Sequence, residues 1–533
     1  MATVAIGAYG LRLARTTSDF LVASREVSPA WNAAAIGGEY LSAASFLGVA
    51  GLVLKHGVDV LWYPVGFAAG YLALLLFVAA PLRRSGAFTL PDLCQLRLGS
   101  VALRKLDTGF VHVIGWLYLV PQLRGAGLTM HTVAGTPYLF GVLLIGIVVT
   151  ANVALGGMRA ITLVQAFQYW LKLTALLVPM LFVLLHWQAD GRPALAPTTG
   201  ATFAHPTTVT FDHAARLIAP DGTSEDVPAG ATRVYREGTP IPRVAGSDVD
   251  TGVTWLLPGS TEKGNQGLLG TYSLILATYL GTMGLPHVLV RFYTNSEGAA
   301  ARRTTLVVLG LVGLFYLLPA LYGVLGRVYT PQLLLTGATD AVVLVLPTAA
   351  LGGGTAAQLL GALVAAGAFA AFLSSSSGLL TSVAGVLSTD VLGRGSVRDF
   401  RFSAIVAGLV PIVLAGRVGA LDVSMVVGLA FAVAASTFCP LLVLGLWWRG
   451  LTATGAVAGL VAGGGAAVAA VLVTISGTAL SGWAAILVNE PAAWTVPLAF
   501  LVMVTVSLAT RRRVPADVGT TMLRLHAPDA LGL

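Results

Sequence analysis

One apolar stretch of this chain, Ile36-Gly37-Gly38-Glu39-Tyr40-Leu41-Ser42-Ala43-Ala44-Ser45-Phe46-Leu47-Gly48, carries a carboxylate, a glycine pair and several hydroxyls. A membrane helix needs none of them for stability. Glycines inside a helix weaken it by roughly 1 kcal/mol each relative to Ala. A carboxylate at mid-bilayer costs about 2–3 kcal/mol or more unless it is paired, protonated or hydrated. The pattern predicts a locally unwound helix whose freed carbonyls and hydroxyls coordinate a polar species. Secondary transporters build such breaks at mid-membrane.

A second stretch, Ala370-Ala371-Phe372-Leu373-Ser374-Ser375-Ser376-Ser377, places four consecutive serines inside an apolar run. A single serine is satisfied by bonding back to a carbonyl one turn earlier, and four exceed that need. Neighbouring helical residues point about 100° apart, so one or two of them face a given site. A small hard cation such as Na⁺ takes oxygen ligands. These hydroxyls, with carbonyls from the break near Gly38 to Leu41, would supply that shell.

Two further stretches add polar groups. In Tyr279-Leu280-Gly281-Thr282-Met283-Gly284-Leu285-Pro286-His287, glycines and a proline interrupt an apolar run and leave backbone groups free beside Thr282 and His287. The positive end of a half-helix favours an anion. In Pro121-Gln122-Leu123-Arg124-Gly125-Ala126-Gly127, Arg124 holds a substrate carboxylate, pairs with Glu39, or reaches the interface. The spacing leaves all three open. Lys172 follows Gln165, Gln168 and Tyr169 by one to two turns and reads as a structural tie to carbonyls of a neighbouring helix. Gly455, Gly459 and Gly463 form a small-residue seam, which is close helix packing.

The elements that position these groups are membrane helices. The 533 residues are 56% apolar and 10% charged, against about 25% charged in ordinary soluble domains. Apolar runs of about 20 residues fall near 30–54, 60–80, 108–131, 137–156, 161–186, 268–290, 303–326, 355–387, 401–417, 422–447, 453–475 and 492–510. The apolar start at 1–11 is too short to span and reads as the tail of a helix begun upstream. Placing the linker before residue 30 inside puts Arg83–Arg84, Arg104–Lys105, Arg302–Arg303 and Arg511–Arg513 inside as well, as the positive-inside rule requires. The amino terminus is then outside and the carboxyl terminus inside.

The organisation expected is a partial helix and cytoplasmic linker at 1–29, five core helices in 30–187, a long polar extracellular loop at 188–266, core helices six to nine in 267–417, the last helices in 418–513 and a cytoplasmic tail at 514–533. Short strands are expected in the loop around 231–236 and 249–256. The net charge of +8 follows the membrane, so no nucleic-acid partner is implied. No Gly-rich phosphate loop occurs, which argues against a nucleotide as energy source. The two cysteines are too few for a metal centre or a disulfide framework. No catalytic constellation appears, so the expectation is a protein that is not an enzyme.

Together these stretches resemble the sodium:solute symporter family, and within it the cation/acetate (monocarboxylate) symporters. The likeness runs from about Ser18 to Arg513. It is carried by Ser18-Asp19-Phe20, the run from Tyr40 to Gly48, Pro121-Gln122 with Gly125-Ala126-Gly127, and Gly156-Gly157-Met158-Arg159. Gly281-Thr282 with Gly284-Leu285-Pro286-His287 and Arg291-Phe292 is its most specific part, and Trp447-Trp448-Arg449 with Gly455-Ala456 its late signature. The resemblance implies an all-α integral membrane protein with a LeuT-like inverted-repeat bundle, about thirteen spans with the first truncated here. It also implies a Na⁺ site between the first and eighth core helices. On this chain that site would use carbonyls of Gly38, Leu41 and Ala371 with hydroxyls of Ser374 and Ser375. Glu39 and Arg124 depart from the family's commonest residues.

The expected function is Na⁺-coupled uptake of a small monocarboxylate such as acetate, propionate or pyruvate across a bacterial cytoplasmic membrane. The substrate would sit among Glu39, Tyr40, Ser42, Ser45, Gln122, Arg124, Thr282 and His287. An anion moving with one Na⁺ is electroneutral, so voltage, worth about 2.3 kcal/mol per charge per 100 mV, helps only if a further cation moves. The alternatives are coupling to protons through Glu39, another solute such as proline or a sugar, and a sensor or channel. Competition panels, Na⁺ replacement and a test of concentrative uptake separate them.

Overall fold

The computed structural model describes residues 27–528, apart from 196–201, 204, 212, 246–254, 256–263, 394–395, 417–421 and 479. The partial helix expected at 1–11 lies outside the described residues, as does all but Trp255 of the strand expected at 249–256.

The first core helix is interrupted where its composition predicts. Helix α1 (Pro29–Tyr40) stops at Leu41, whose ψ of 85° is not helical, and the chain resumes through a wide π turn (Ala44–Gly48) into α2 (Val49–His56). The break comes one turn after the glycine pair, so unwinding is not what the glycines do. A Cβ on Gly38 would lie 2.2 Å from the Gln165 carbonyl oxygen. Gly38 lets two helices approach backbone to backbone, as small residues do in membranes.

The chain continues through α3 (Trp62–Ala73), α4 (Ala79–Arg84), α5 (Leu90–Leu98), α6 (Val101–Ala134) and α7 (Tyr138–Ala189). Within α7, Tyr138–Gly156 and Ala160–Ala189 are two separate crossings' worth of apolar helix. Strand β1 (Thr207–Thr210) pairs antiparallel with β4 (Thr232–Tyr235), the strand expected near 231–236. Strand β2 (Ala215–Ile218) sits between β3 (Ser224–Val227) and β5 (Arg243–Val244). Buried Phe203, Phe211, Leu217 and Trp255 give this loop a small core. It is tied to the bundle through the Trp255 carbonyl, which accepts from Val58 N at 3.1 Å. Gly57, at φ +78°, is obligatory at that seam, since a Cβ there would fall 1.7 Å from the same oxygen.

Beyond the loop come α8 (Gly264–Gly284), α9 (Pro286–Phe292), α10 (Gly298–Tyr329), α11 (Gln332–Thr336), α12 (Val342–Ala350), α13 (Thr355–Val386) and α14 (Val397–Ala415). The remainder is α15 (Val423–Ser436), α16 (Phe438–Trp447), α17 (Ala453–Gly459), α18 (Gly465–Ile475), α19 (Gly482–Asn489), α20 (Ala492–Ala509) and α21 (Val518–His526). Helices α8 and α9 meet at a 41° bend at Leu285, because Pro286 has no N–H to continue the ladder. A second unwinding, at Thr437 between α15 and α16, has no counterpart in the sequence reading.

Among the described residues, eight helices are long and apolar enough to cross a membrane, or nine if the bent pair counts as one span. The expected tally of twelve is higher for physical reasons. The first span is cut at Leu41, the runs at 30–54 and 60–80 merge beyond that cut into Ala44–Arg84, the run at 108–131 in α6 carries His112, Gln122 and Arg124, and α14 begins with charged Arg398, Asp399 and Arg401. Helices α1, α6 and α13 pack against α7, while α8 lies between α3 and α15. The seam of Gly455, Gly459 and Gly463 packs on α20, where added Cβ atoms would strike Ser507, Met503 and Ala499.

Candidate functional site

The site is built where the α1 break meets the α8–α9 bend. The Tyr40 hydroxyl lies 2.8 Å from Thr282 Oγ1 and also donates to the Phe67 carbonyl at 3.1 Å. Thr282 can approach because the glycines flanking it let α8 lie against α15. A Cβ on Gly281 or Gly284 would fall 2.5 Å from the carbonyl oxygens of Phe431 and Ala434. The sequence reading took these glycines for helix breakers. They are contact residues, and Pro286 alone makes the bend.

Around this junction stands an aromatic wall. Tyr40 meets Tyr71 edge to face at 4.9 Å, Phe67 meets Phe431 at 4.7 Å, and Tyr118 meets the His287 ring at 5.3 Å. His287 is buried, and neither ring nitrogen has a hydrogen-bond partner; the Tyr71 hydroxyl is likewise unpartnered. Buried polar atoms are nearly always satisfied. These orphans, clustered beside two helix breaks, leave bonding capacity unmet at the junction.

The remaining expected substrate residues close the break itself. Gln122 Oε1 accepts from the free Ala43 N–H at 2.8 Å, replacing a lost helical bond. The Ser42 hydroxyl accepts from Tyr118 at 3.2 Å, and Ser45 Oγ is 2.8 Å from the Tyr316 hydroxyl. Thus Tyr40, Ser42, Ser45, Gln122, Thr282 and His287 belong to one neighbourhood. Arg124 stands apart: it is partly exposed and hydrogen-bonds Tyr138 at the start of α7. Of the three roles open to it, pairing with Glu39 is excluded by what Glu39 does.

Glu39 Oε2 accepts from Arg291 Nε at 2.5 Å, with side chains only 1% and 0% exposed. Arg291 also donates to Thr162 Oγ1 at 2.7 Å and to Gln165 Oε1. Every arm of the guanidinium is engaged, which is what a buried charge requires. Gly378 makes the room, since a Cβ there would fall 2.0 Å from the Glu39 carboxyl carbon. Oε2 is committed to a structural ion pair, while Oε1 is buried without a hydrogen-bond partner.

The five residues expected to bind Na⁺ also converge. Lys172 Nζ donates to the carbonyls of Gly38 and Leu41, the latter at 2.7 Å, and to Ser374 Oγ at 3.0 Å. Ser374 donates in turn to the Ala371 carbonyl at 3.1 Å, and Ser375 donates to the Glu39 carbonyl. The tie of Lys172 to a neighbouring helix's carbonyls was legible in the sequence; that those carbonyls are the expected ion ligands was not. Arg291 was read only as part of the family motif, and Thr162, Tyr71, Phe67 and Phe431 had no reading. The physical signal for the role of Arg291 was that Glu39, buried in a membrane, needs a cation.

The chain matches the profile of the sodium:solute symporter family over residues 20–463. It is 32% identical over 523 residues to the monocarboxylic acid transporter of Corynebacterium glutamicum, covering 92% of this chain and 87% of that one. It is 30% identical over 519 residues to the uncharacterized symporter YwcA of Bacillus subtilis, covering 94% and 90%. Among solved structures it resembles a Na⁺-coupled sialic acid symporter in a substrate-bound outward-open state, with a TM-score of 0.63 at 16% identity over 95% of both chains. It also resembles Mhp1, a nucleobase-cation-symport-1 family transporter, with a TM-score of 0.53 at 12% identity over 95% of this chain and 98% of that one. These two show the fold, a LeuT-like transporter bundle. A helix broken at mid-membrane, a second bent against it, and sequence identity along nearly the whole chain agree: this transporter belongs to the sodium:solute symporter family.

Proposed function

We propose that the chain imports a small monocarboxylate, such as acetate, propionate or pyruvate, by cation-coupled symport across a bacterial cytoplasmic membrane, with its amino terminus outside and its carboxyl terminus inside. The observation that carries the reading is the junction at Tyr40 and Thr282, with the unpartnered His287 ring beside it. A carboxylate there would accept from the unpartnered Tyr71 hydroxyl and from an imidazole N–H of His287. The aromatic wall favours a solute with a short apolar tail. The likeness to the monocarboxylic acid transporter of Corynebacterium glutamicum supports the same solute class.

The family's description and the Na⁺-coupled neighbour favour Na⁺ as the coupling ion. A second reading, uptake with a proton, is favoured by the ammonium standing among the oxygens expected to hold Na⁺. Either cation makes import of one anion electroneutral.

The test is uptake of radiolabelled acetate by proteoliposomes under imposed cation gradients, with unlabelled acetate, pyruvate and proline as competitors. Concentrative uptake blocked by acetate and pyruvate but not by proline is expected. Uptake of proline that neither carboxylate affects, with no acetate carried, overturns the assignment.

A further inference from the structure

We propose that the Lys172 ammonium is the resident cation of the pocket between α1 and α13, so that Na⁺ does not bind there. This inference deepens the symport reading and rests on it for its transport consequence alone. A broken helix leaves carbonyl oxygens aimed at one point, and in transporters such oxygens coordinate the driving ion. Here that point is occupied by Nζ, with Gly38 O, Leu41 O and Ser374 Oγ around it.

The bonding matches the charged form of the nitrogen. Two of the three partners are carbonyls, which only accept. The third is a hydroxyl whose own proton goes to the Ala371 carbonyl, so towards Nζ it also accepts. Three acceptors need three N–H donors, and only the ammonium form has them. The ammonium is therefore a tethered monovalent cation meeting the same kind of oxygen shell that a mobile one would meet.

Snorkelling does not explain the placement. Lys172 is 0% exposed and lies about 18 Å along the helix from Ala160, further than its side chain reaches. The nearby carboxylate does not explain it either, because Glu39 pairs with Arg291. The other oxygens expected to hold Na⁺ are engaged as well. The Ala371 carbonyl is taken by Ser374, and Ser375 Oγ donates to the Glu39 carbonyl. All five residues expected to ligate Na⁺ are thus engaged within the chain.

Two measurements test the proposal. Acetate uptake by the parent protein, at fixed pH and membrane potential, is compared with external Na⁺ and with choline. Uptake within twofold is expected, and a loss of tenfold or more without Na⁺ overturns the proposal. Independently, the purified protein is melted in NaCl and in choline chloride at equal ionic strength. No Na⁺-specific shift is expected in the parent, and an upward shift there overturns the proposal. Lys172→Ala empties the oxygen shell, and an upward Na⁺-specific shift is expected to appear. A folded variant that Na⁺ leaves unshifted overturns the claim that these oxygens form a cation shell. If the variant does not fold, both parent measurements still decide. If no carboxylate is taken up under any gradient, the symport reading fails while the melting comparison still judges the pocket.

Discussion

Arg291 reaches from the short helix after the α8–α9 bend to Glu39 on α1, and their 2.5 Å contact is sealed from solvent on both sides. It joins the two interrupted helices by a charge pair, next to the hydroxyl contact that joins them at Tyr40 and Thr282. Removing one member of a buried pair strands the other and costs about 3–5 kcal/mol, whereas replacing both with apolar groups is often neutral. Arg291→Met alone is expected to lower the melting temperature sharply and reduce folded yield. Glu39→Leu with Arg291→Met is expected to recover most of the loss. Equal melting temperatures for Arg291→Met and the parent would show that the pair is not a structural tie.

Tyr40 and Thr282 offer a milder intervention. Tyr40→Phe keeps the ring against Tyr71 and Phe67 and removes only the hydroxyl bonds, a net change of roughly 1 kcal/mol in stability. The stronger effect is expected in transport, because that hydroxyl stands where the proposed solute is read. A several-fold rise in the acetate concentration for half-maximal uptake, with melting changed by only a few degrees, is the expected result. Unchanged acetate dependence would move the solute away from Tyr40.

Gly38→Ala tests why the glycine pair exists. A unwinding role would tolerate a methyl group, but a contact role would not. With Gln165 backbone 2.2 Å from the added Cβ, α1 must be pushed off α7. Overpacking of this kind costs about 1–3 kcal/mol. The shift also moves the Gly38 carbonyl away from Lys172. Loss of folded yield in Gly38→Ala, but not in Gly109→Ala, where nothing lies within 4 Å of an added Cβ, is expected in size-exclusion profiles of the purified variants.

These three positions show what the sequence could carry. Glu39 and the serine run were legible because buried polar groups in an apolar context are anomalies on their own line of text. Their partners were not, since Arg291 and Lys172 lie on distant helices and only the fold brings them within reach. Glycines at 37–38 and 281–284 were visible as exceptions but misread, because a helix-breaking glycine and a close-packing one look identical without the neighbouring backbone. The Thr437 unwinding had a textual mark that went unread, Pro440 three residues on, which has no N–H to bond the Ser436 carbonyl. The motif resemblance supplied which helices converge, which periodicity alone does not encode.

Asp340 gives the structure a pH dependence with a defined sign. It lies in the 3-10 turn Thr339–Ala341 that precedes α12, where burial, reinforced by nearby Asp422, raises its pKa from 3.8 to about 6. Its Oδ2 accepts from Val423 N at 3.2 Å, while Oδ1 has no partner. An acid whose folded pKa exceeds its unfolded value is protonated more readily in the folded state. Between about pH 4 and pH 6 the folded protein therefore binds more protons, and stability falls as pH rises through that window. The cost is absent below the window and fully present above it. At about 1.4 kcal/mol per pKa unit, it reaches roughly 3 kcal/mol at most. Asp340→Asn keeps an acceptor for Val423 and removes the charge. Its melting temperature is expected to match the parent near pH 4, to rise above it by pH 6, and to hold that lead at pH 7.5. A lead already complete at pH 4, or none at pH 7.5, would show that this carboxyl does not titrate within the folded state.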